Sequence, residues 1–401
     1  MIANVITPDG RPVAMEQQVG ARKVDVTRGS RDGSVSSQWF SRPDDQRFLS
    51  LDELAEAVHA RKERSTASIL PTTDLRVRAQ MDDENRLWLE DKAGRQIHPN
   101  HWSFGQLCSK VGAPASFMRE KLSAPIAGIA LQHCLHRLPS ENVGILEAGW
   151  DDRTELRAIT GPDYGRVYDA EVVDVIRKSI DDTWKVPGVI DWGRGTYDPN
   201  APISKQSTTL YASDRDVFVF LCRDQYPIEV GKLADGSPDL MFPGFIVSNS
   251  ETGSRSLSIE TMYLRAVCMN RNLWGCEKKQ TLRLRHTSGL PSRFMLEAKP
   301  AIEQFTEISA STISRKVAAA KARRVGDDDD DVVDFMQKRL ELSKKQAKDV
   351  LASVLGEEGH RCRSIWDVVQ GVTALARDIP HQDRRIDVER AAGKLMDLVS
   401  A

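Results

Sequence analysis

The sequence predicts an α+β protein: a central antiparallel-rich sheet with a helical N-terminal layer and a helical C-terminal region. Three observations carry that expectation. Between residues 185 and 285, short apolar or alternating runs such as "STTLYASD", "RDVFVFLCRD", "LMFPGFIVSN", "SRSLSIETM" and "QTLRLRHT" are spaced by turn residues, as in strands joined by hairpins. Ahead of them, "FLSLDELAEAVHARKER" and "PIAGIALQHCLHRL" have helical periodicity. Behind them come "SRKVAAAKARR", "VVDFMQKRLEL", "SIWDVVQGVTALARD" and "RIDVERAAGKLMDLV", with no solenoid repeat.

Taken in order, residues 1–45 are rich in Gly, Ser, Arg, Asp and Gln and read as a flexible tail. Residues 46–140 read as a mostly helical N-terminal subdomain. Ser50 and Glu53 form a capping-box pattern before a helix with Leu51, Leu54, Ala55 and Val58 on one face, and Ser103 with Gln106 suggests a second. "TTDLRVRAQ" and "RLWLEDKAG" predict a strand pair within it. Residues 141–297 form the β-rich core, with a hairpin across Trp150-Asp151-Asp152 and a helix at "AEVVDVIRKSI". A second hairpin has its turn at 250–254 and is followed by a helix with Leu264, Val267 and Cys268 facing inward. Residues 298–325 read as a long basic helix, 326–332 as an acidic linker through Asp327–Asp331, and 333–401 as a C-terminal helical subdomain of three helices.

Several chemistries lack their residues. His133 and His136 share a helical face but have no third or fourth ligand by spacing, so no structural zinc is expected. There is no P-loop, no complete dinucleotide fingerprint and no esterase elbow. Asp163 and Asp239 are not followed by the acidic-x-Lys strand of a metal-dependent nuclease, and Glu229 and Lys232 would lie on opposite strand faces. A non-enzymatic protein without metal or cofactor is the expectation. Six cysteines without C-x-x-C spacing, no signal-peptide pattern and no long apolar run predict a cytoplasmic protein that does not enter a membrane.

Charge is what remains. The chain is net −2, but residues 246–325 hold 14 basic against 6 acidic side chains, whereas residues 1–245 are net −6 and residues 326–401 net −4. A basic middle between acidic flanks is the pattern of an anion-binding surface. Its candidate nucleic-acid-binding residues are Arg255, Arg265, Arg271, Lys278, Lys279, Arg283, Arg285, His286 and Arg293, with Tyr263 and Trp274 as stacking faces. Arg283 and Arg285 share one strand face about 7 Å apart, which suits successive phosphates, and exposed aromatic rings would stack unpaired bases.

Several stretches also resemble a family of phage- and plasmid-like proteins that carries a domain of unknown function. They are "FGQLCSKVGAPASFM", "LRAITGPDYGRVYD", "FIVSNSETGSRSLSIETMYLRAVCMNRNLW", "LRLRHT" and "SIWDVVQGVT". The family's central block corresponds to Asn249-Ser250, Gly253-Ser254, Arg265, Val267, Cys268 and Asn270; the chain departs from it at Glu251-Thr252, where His-Asp is frequent. The resemblance spans roughly residues 100–380 and implies a mobile-element setting, with work on DNA or in host defence. The order strand–strand–helix expected around 244–275 is similar to the core of single-strand annealing recombinases. The leading expectation is therefore single-stranded DNA binding or annealing by a homo-oligomer. The alternatives are an assembly factor with an acidic protein partner and a metal-dependent nuclease or nucleotide-processing enzyme.

Overall fold

The computed structural model describes residues 2–6, 12–16, 39–80, 86–150, 153–187, 200–233, 236–265, 271–272, 281–305 and 310–399. The α+β class holds, but in two large sheets rather than one. A small hairpin, β1 (Ile2–Ile6) with β2 (Pro12–Glu16), lies inside the segment expected to be a flexible tail.

The first large sheet is built from β4 (Ser65–Pro71), β5 (Arg76–Ala79), β6 (Leu87–Glu90), β7 (Gln96–Pro99), β8 (Asn142–Trp150) and β9 (Arg153–Thr160), in the order β4-β8-β9-β7-β6-β5. Its pairings are antiparallel except β7 with β9. Helices α2 (His101–Lys110), α3 (Ala115–Glu120) and α4 (Ala124–Arg137) bring Phe104, Leu107, Met118 and Leu131 onto Val77, Leu89, Ile97 and Ile145. Residues 46–140 thus hold four of this sheet's six strands with their helical cover, together with β3 (Arg47–Phe48) and α1 (Leu51–Glu63), which belong to the second sheet. Strand β4 does not alternate apolar with polar residues, and β7 is only four residues long, so they offer little period to read. The second cap also differs: Asn100, not Ser103, caps α2, accepting from the Ser103 amide at 2.8 Å.

The second sheet has eight strands: β3 (Arg47–Phe48), β10 (Leu210–Ala212), β11 (Val217–Cys222), β12 (Ile228–Lys232), β13 (Pro238–Asn249), β14 (Leu257–Arg265), β15 (Arg271–Asn272) and β16 (Thr281–Leu284). The path runs β15-β14-β13-β11-β10-β3, with β12 on β13 and β16 on β14, all antiparallel. Six successive residues of β11 are buried because both faces are covered. On one face α1 (Leu51–Glu63), α5 (Asp169–Ser179) and α6 (Leu290–Phe305) pack Val58, Val173 and Phe294 against Val219, Phe245 and Ile259. On the other, Trp39 and Ile386 of α11 (Gln382–Leu395) cover Phe218, Phe220 and Met262.

The C-terminal helices α7 (Ala310–Ala322), α8 (Asp329–Leu340), α9 (Lys344–Glu358) and α10 (Ile365–Arg377) close a third core over Ile228, Met241 and Tyr263. Three expectations are corrected here. The basic helix of 298–325 falls into α6 and α7, and α6 already starts at Leu290. The acidic run is the start of a helix rather than a linker: Asp328 caps α8, and Asp329, Asp330 and Asp331 occupy its first turn, where carboxylates meet the positive end of the helix dipole. Helix α9 makes a fourth C-terminal helix, opened by a Ser343–Gln346 capping box that the sequence displays.

Candidate functional site

The turn between β13 and β14 is a heavily bonded polar segment where the two sheets meet. Gly253, at φ +85°, takes a left-handed conformation that lets the chain reverse. The turn does not project into solvent. Ser250, Glu251 and Thr252 are buried, because the first sheet and its helix α2 hold the turn's backbone. Trp102 Nε1 and Gln106 Nε2 donate to the Thr252 carbonyl at 3.0 and 2.8 Å. The Tyr164 hydroxyl donates to the Ser250 carbonyl at 2.8 Å, and Arg166 donates to the Glu251 carbonyl. Asn249 Nδ2 donates to the Val167 carbonyl and to Asp169 Oδ1, at 2.9 and 2.8 Å.

Around this turn sits a buried charge cluster. Arg157, on β9 of the first sheet, reaches Glu251 Oε2 at 2.7 Å, both side chains being almost wholly enclosed. Arg61, from the last turn of α1, reaches Asp169 Oδ2 at 2.6 Å, and the Asp169 amide donates to Glu251 Oε1 at 2.9 Å. Burial and the neighbouring Glu251 push the Asp169 carboxyl up to about 8, against the pull of Arg61. Burial acts on Glu251 in the same sense, but Arg157 and Arg61 outweigh it and hold that carboxyl down at about 2. Two arginines thus fix two carboxylates of unequal proton affinity at the seam between the sheets. None of these four carries a motif by which the sequence marks a site residue. The only hint is the departure at Glu251-Thr252, whose acidic member is the group Arg157 requires.

The predicted DNA-binding residues divide three ways. Lys278, Lys279 and Trp274 lie outside the described residues, as does the Arg271 side chain. Tyr263 and Arg265 are committed elsewhere. Tyr263 is fully buried, so as described it presents no face to a base. Arg265 is buried too, forming a fork with Asp239 at 2.7 and 3.0 Å and a second with Glu358 at 2.6 and 3.1 Å. The helix expected to carry Arg265 is instead the end of β14, since Tyr263 and Leu264 pair with Asn272 and Arg271 of β15; Val267 and Cys268 lie outside the described residues. Arg255 pairs with Asp383 and lies 4.3 Å over the Phe218 ring.

The third group reaches solvent. Arg283 and Arg285 are exposed on and just after β16. Arg283 stands opposite Ser258, its guanidinium 4.0 Å from Glu260, which also receives Arg390 of α11. Arg293 is exposed on α6 and pairs with Glu297 one turn on at 2.8 Å. His286 is half-buried, stacked on Tyr164 with centroids 4.6 Å apart, and donates from Nδ1 to the Gly165 carbonyl at 2.9 Å. Burial lowers its pKa, with Arg166 adding to that and the Gly165 carbonyl opposing it. A neutral ring on the edge of an aromatic stack is the result. No group of three or more His, Cys, Asp or Glu positioned for a metal ion occurs among the described residues.

Two antiparallel-rich sheets joined by a buried ionic turn, with a basic edge strand beside it, define the class of protein the geometry supports. Residues 201–398 match the family model described as "Domain of unknown function (DUF932)". The match takes in β10–β16 and the C-terminal helices, and leaves the first sheet outside. No curated protein and no solved structure matches the chain. No helix among the described residues is long and apolar enough to cross a membrane.

Proposed function

We propose that the chain binds single-stranded DNA along the β16 edge, in the service of a mobile genetic element, and does so as a homo-oligomer without catalysis. The observation that carries this reading is the pair Arg283 and Arg285, exposed on one side of an edge strand beside the Tyr164–His286 stack. Two guanidinium groups about 7 Å apart suit neighbouring phosphates of one strand. The half-buried stack next to them supplies π-surface for a base, and Arg166, 5.3 Å over the Tyr164 ring, adds charge at the same place. Lys278 and Lys279 shortly precede β16 in sequence.

Anisotropy of a labelled oligonucleotide, titrated between about 50 and 200 mM salt, tests the reading. Affinity is expected to fall steeply with salt, and removing Arg283 and Arg285 together should flatten the log–log slope by about 1.4, roughly 0.7 for each phosphate no longer neutralised. A flat response in the wild type, or no binding at the lowest salt, removes the proposal. A second reading, an assembly factor, is favoured by Met295 and Leu296, which are 66% and 75% exposed on α6. Mass in solution with and without oligonucleotide separates the two, since annealing requires an assembly that forms or grows on DNA.

A further inference from the structure

Beside the 250–254 turn, two guanidinium groups hold one buried carboxylate and a third stands near them. Arg42 meets Asp216 Oδ1 at 2.9 Å and donates to Gln382 at 2.5 Å. Arg255 Nε stands 3.7 Å from Asp216 Oδ2, and its Nη2 pairs with Asp383, whose side chain is 52% exposed. Arg215 is different. It is only 9% exposed, yet among the described residues no carboxylate lies within 4.0 Å of its guanidinium. Its Nε is buried without a hydrogen-bond partner, and the group's neighbour is the Trp102 ring, 5.2 Å away. The Arg215 carbonyl accepts from Thr252 Oγ1 and Ser254 Oγ, both at 3.2 Å, so the backbone beneath it is fixed by the turn.

The charge here does not balance. Arg42, Arg215 and Arg255 oppose Asp216 and Asp383, which leaves one positive charge in excess. Burial lowers the Arg215 pKa, Asp216 opposes that, and Arg42 adds to it. Helix α11 adds the positive end of its dipole, because its N-cap, His381, makes no side-chain cap bond and Asp383 ties its first turn to Arg255. One unit of charge and about half a unit from the helix end together approach the roughly −1.5 to −2 of a phosphate monoester. A buried guanidinium with unused donors is costly unless an anion meets it, and its planar fork suits phosphate oxygens.

We propose that Arg215, flanked by Arg255 and Trp102, is a binding site for a single phosphate monoester group. Asp383, the most exposed member of the cluster, occupies part of the site by holding Arg255 and yields when the phosphate arrives. The group is either the terminal phosphate of a nucleic-acid strand or that of a free mononucleotide. The site uses neither Arg283 nor Arg285 and does not require the β16 edge to bind DNA.

Calorimetry of the full chain with inorganic phosphate at constant ionic strength is the test. One site is expected. Arg215→Met should weaken it tenfold or more, Asp383→Asn should tighten it several-fold, and Arg283→Ala with Arg285→Ala should leave it unchanged. Absence of phosphate binding at constant ionic strength, or equal affinity in Arg215→Met, overturns the proposal. Should Arg215→Met fail to fold, Asp383→Asn decides, and an unchanged affinity there is the contrary result. Stronger competition by a 5′-phosphorylated than by a 5′-hydroxyl oligonucleotide assigns the site to a strand terminus; equal competition by a deoxynucleoside monophosphate assigns it to a free nucleotide. Phosphate binding that survives Arg283→Ala with Arg285→Ala while oligonucleotide binding is lost keeps this inference and the β16 reading distinguishable.

Discussion

Arg157 and Arg283 each sit on a strand of a large sheet, yet they have opposite surroundings. Arg157 is wholly enclosed and meets Glu251 at 2.7 Å; Arg283 is exposed and reaches Glu260 only at 4.0 Å. The same side chain serves as an internal joint in one place and as free surface charge in the other. What separates them is the carboxylate that tertiary structure brings: Glu251 lies far from Arg157 in sequence and arrives by insertion of a turn from the other sheet. A buried pair of this kind fixes geometry more than it adds net stability, but breaking it leaves an uncompensated charge. An exposed arginine contributes little to folding and remains available for a ligand.

This contrast sets the sizes of the expected effects. Glu251→Gln strips Arg157 of its counter-charge at the seam and should cost about 3–5 kcal/mol in denaturant unfolding; a loss under about 1 kcal/mol would mean that the turn is not the joint between the sheets. Asp239→Asn removes half of the Arg265 fork while Glu358 keeps the other half, so a smaller loss of about 1.5–3 kcal/mol is expected by the same measurement.

The pH dependence sharpens the comparison further. Asp169 has a raised folded-state pKa, so the stability it contributes is complete below the unfolded value near about 4 and is lost as pH rises through about 8. Glu251 has a lowered one, so its contribution is present above the same unfolded range and is lost only as pH falls toward about 2. Of these two carboxyls, Asp169 alone changes its contribution between about pH 5 and 9, and unfolding free energy should decline with rising pH. Urea melts across that range should show the decline in the wild type and a flatter profile in Asp169→Asn; identical profiles would contradict the assignment. The smallest folding effect belongs to Arg283→Ala with Arg285→Ala, within about 0.5 kcal/mol of wild type, even as the salt slope for oligonucleotide binding falls.

Much of the fold is legible in the sequence because local signals agree with tertiary structure. The hairpins β8–β9 and β13–β14, the amphipathic α5 and α10, and the Ser50 cap all follow from period and turn residues. Strands with little period to read, β3, β4 and β7, are not legible, since their pairing is decided by partners far along the chain. The segment after the 250–254 turn misleads because "TMYLR" suits a helix face as well as a strand, and pairing with β13 settles it as a strand. For the site, exposure is the missing quantity. Sequence spacing puts Arg265 and Arg283 in one basic run; only the fold separates the arginine bound by Asp239 and Glu358 from the one left in solvent. Arg157, Asp169 and Arg215 carry no motif, because their meaning lies entirely in neighbours remote in sequence.

The route of β3 has a consequence for how the chain is made. The first large sheet has all its strands once Thr160 has been synthesised. The second cannot close when its first strand appears: Arg47–Phe48 pairs with Tyr211 and Leu210, and Phe48, Leu54 and Val58 fill a core whose other half lies beyond residue 210. During vectorial synthesis on the ribosome, β3 and α1 therefore wait, with apolar faces uncovered, while the later-begun sheet completes first. A fragment cut to residues 201–398 would carry the same deficit permanently, for it omits the strand that ends its sheet and two of the helices, α1 and α5, that cover one face.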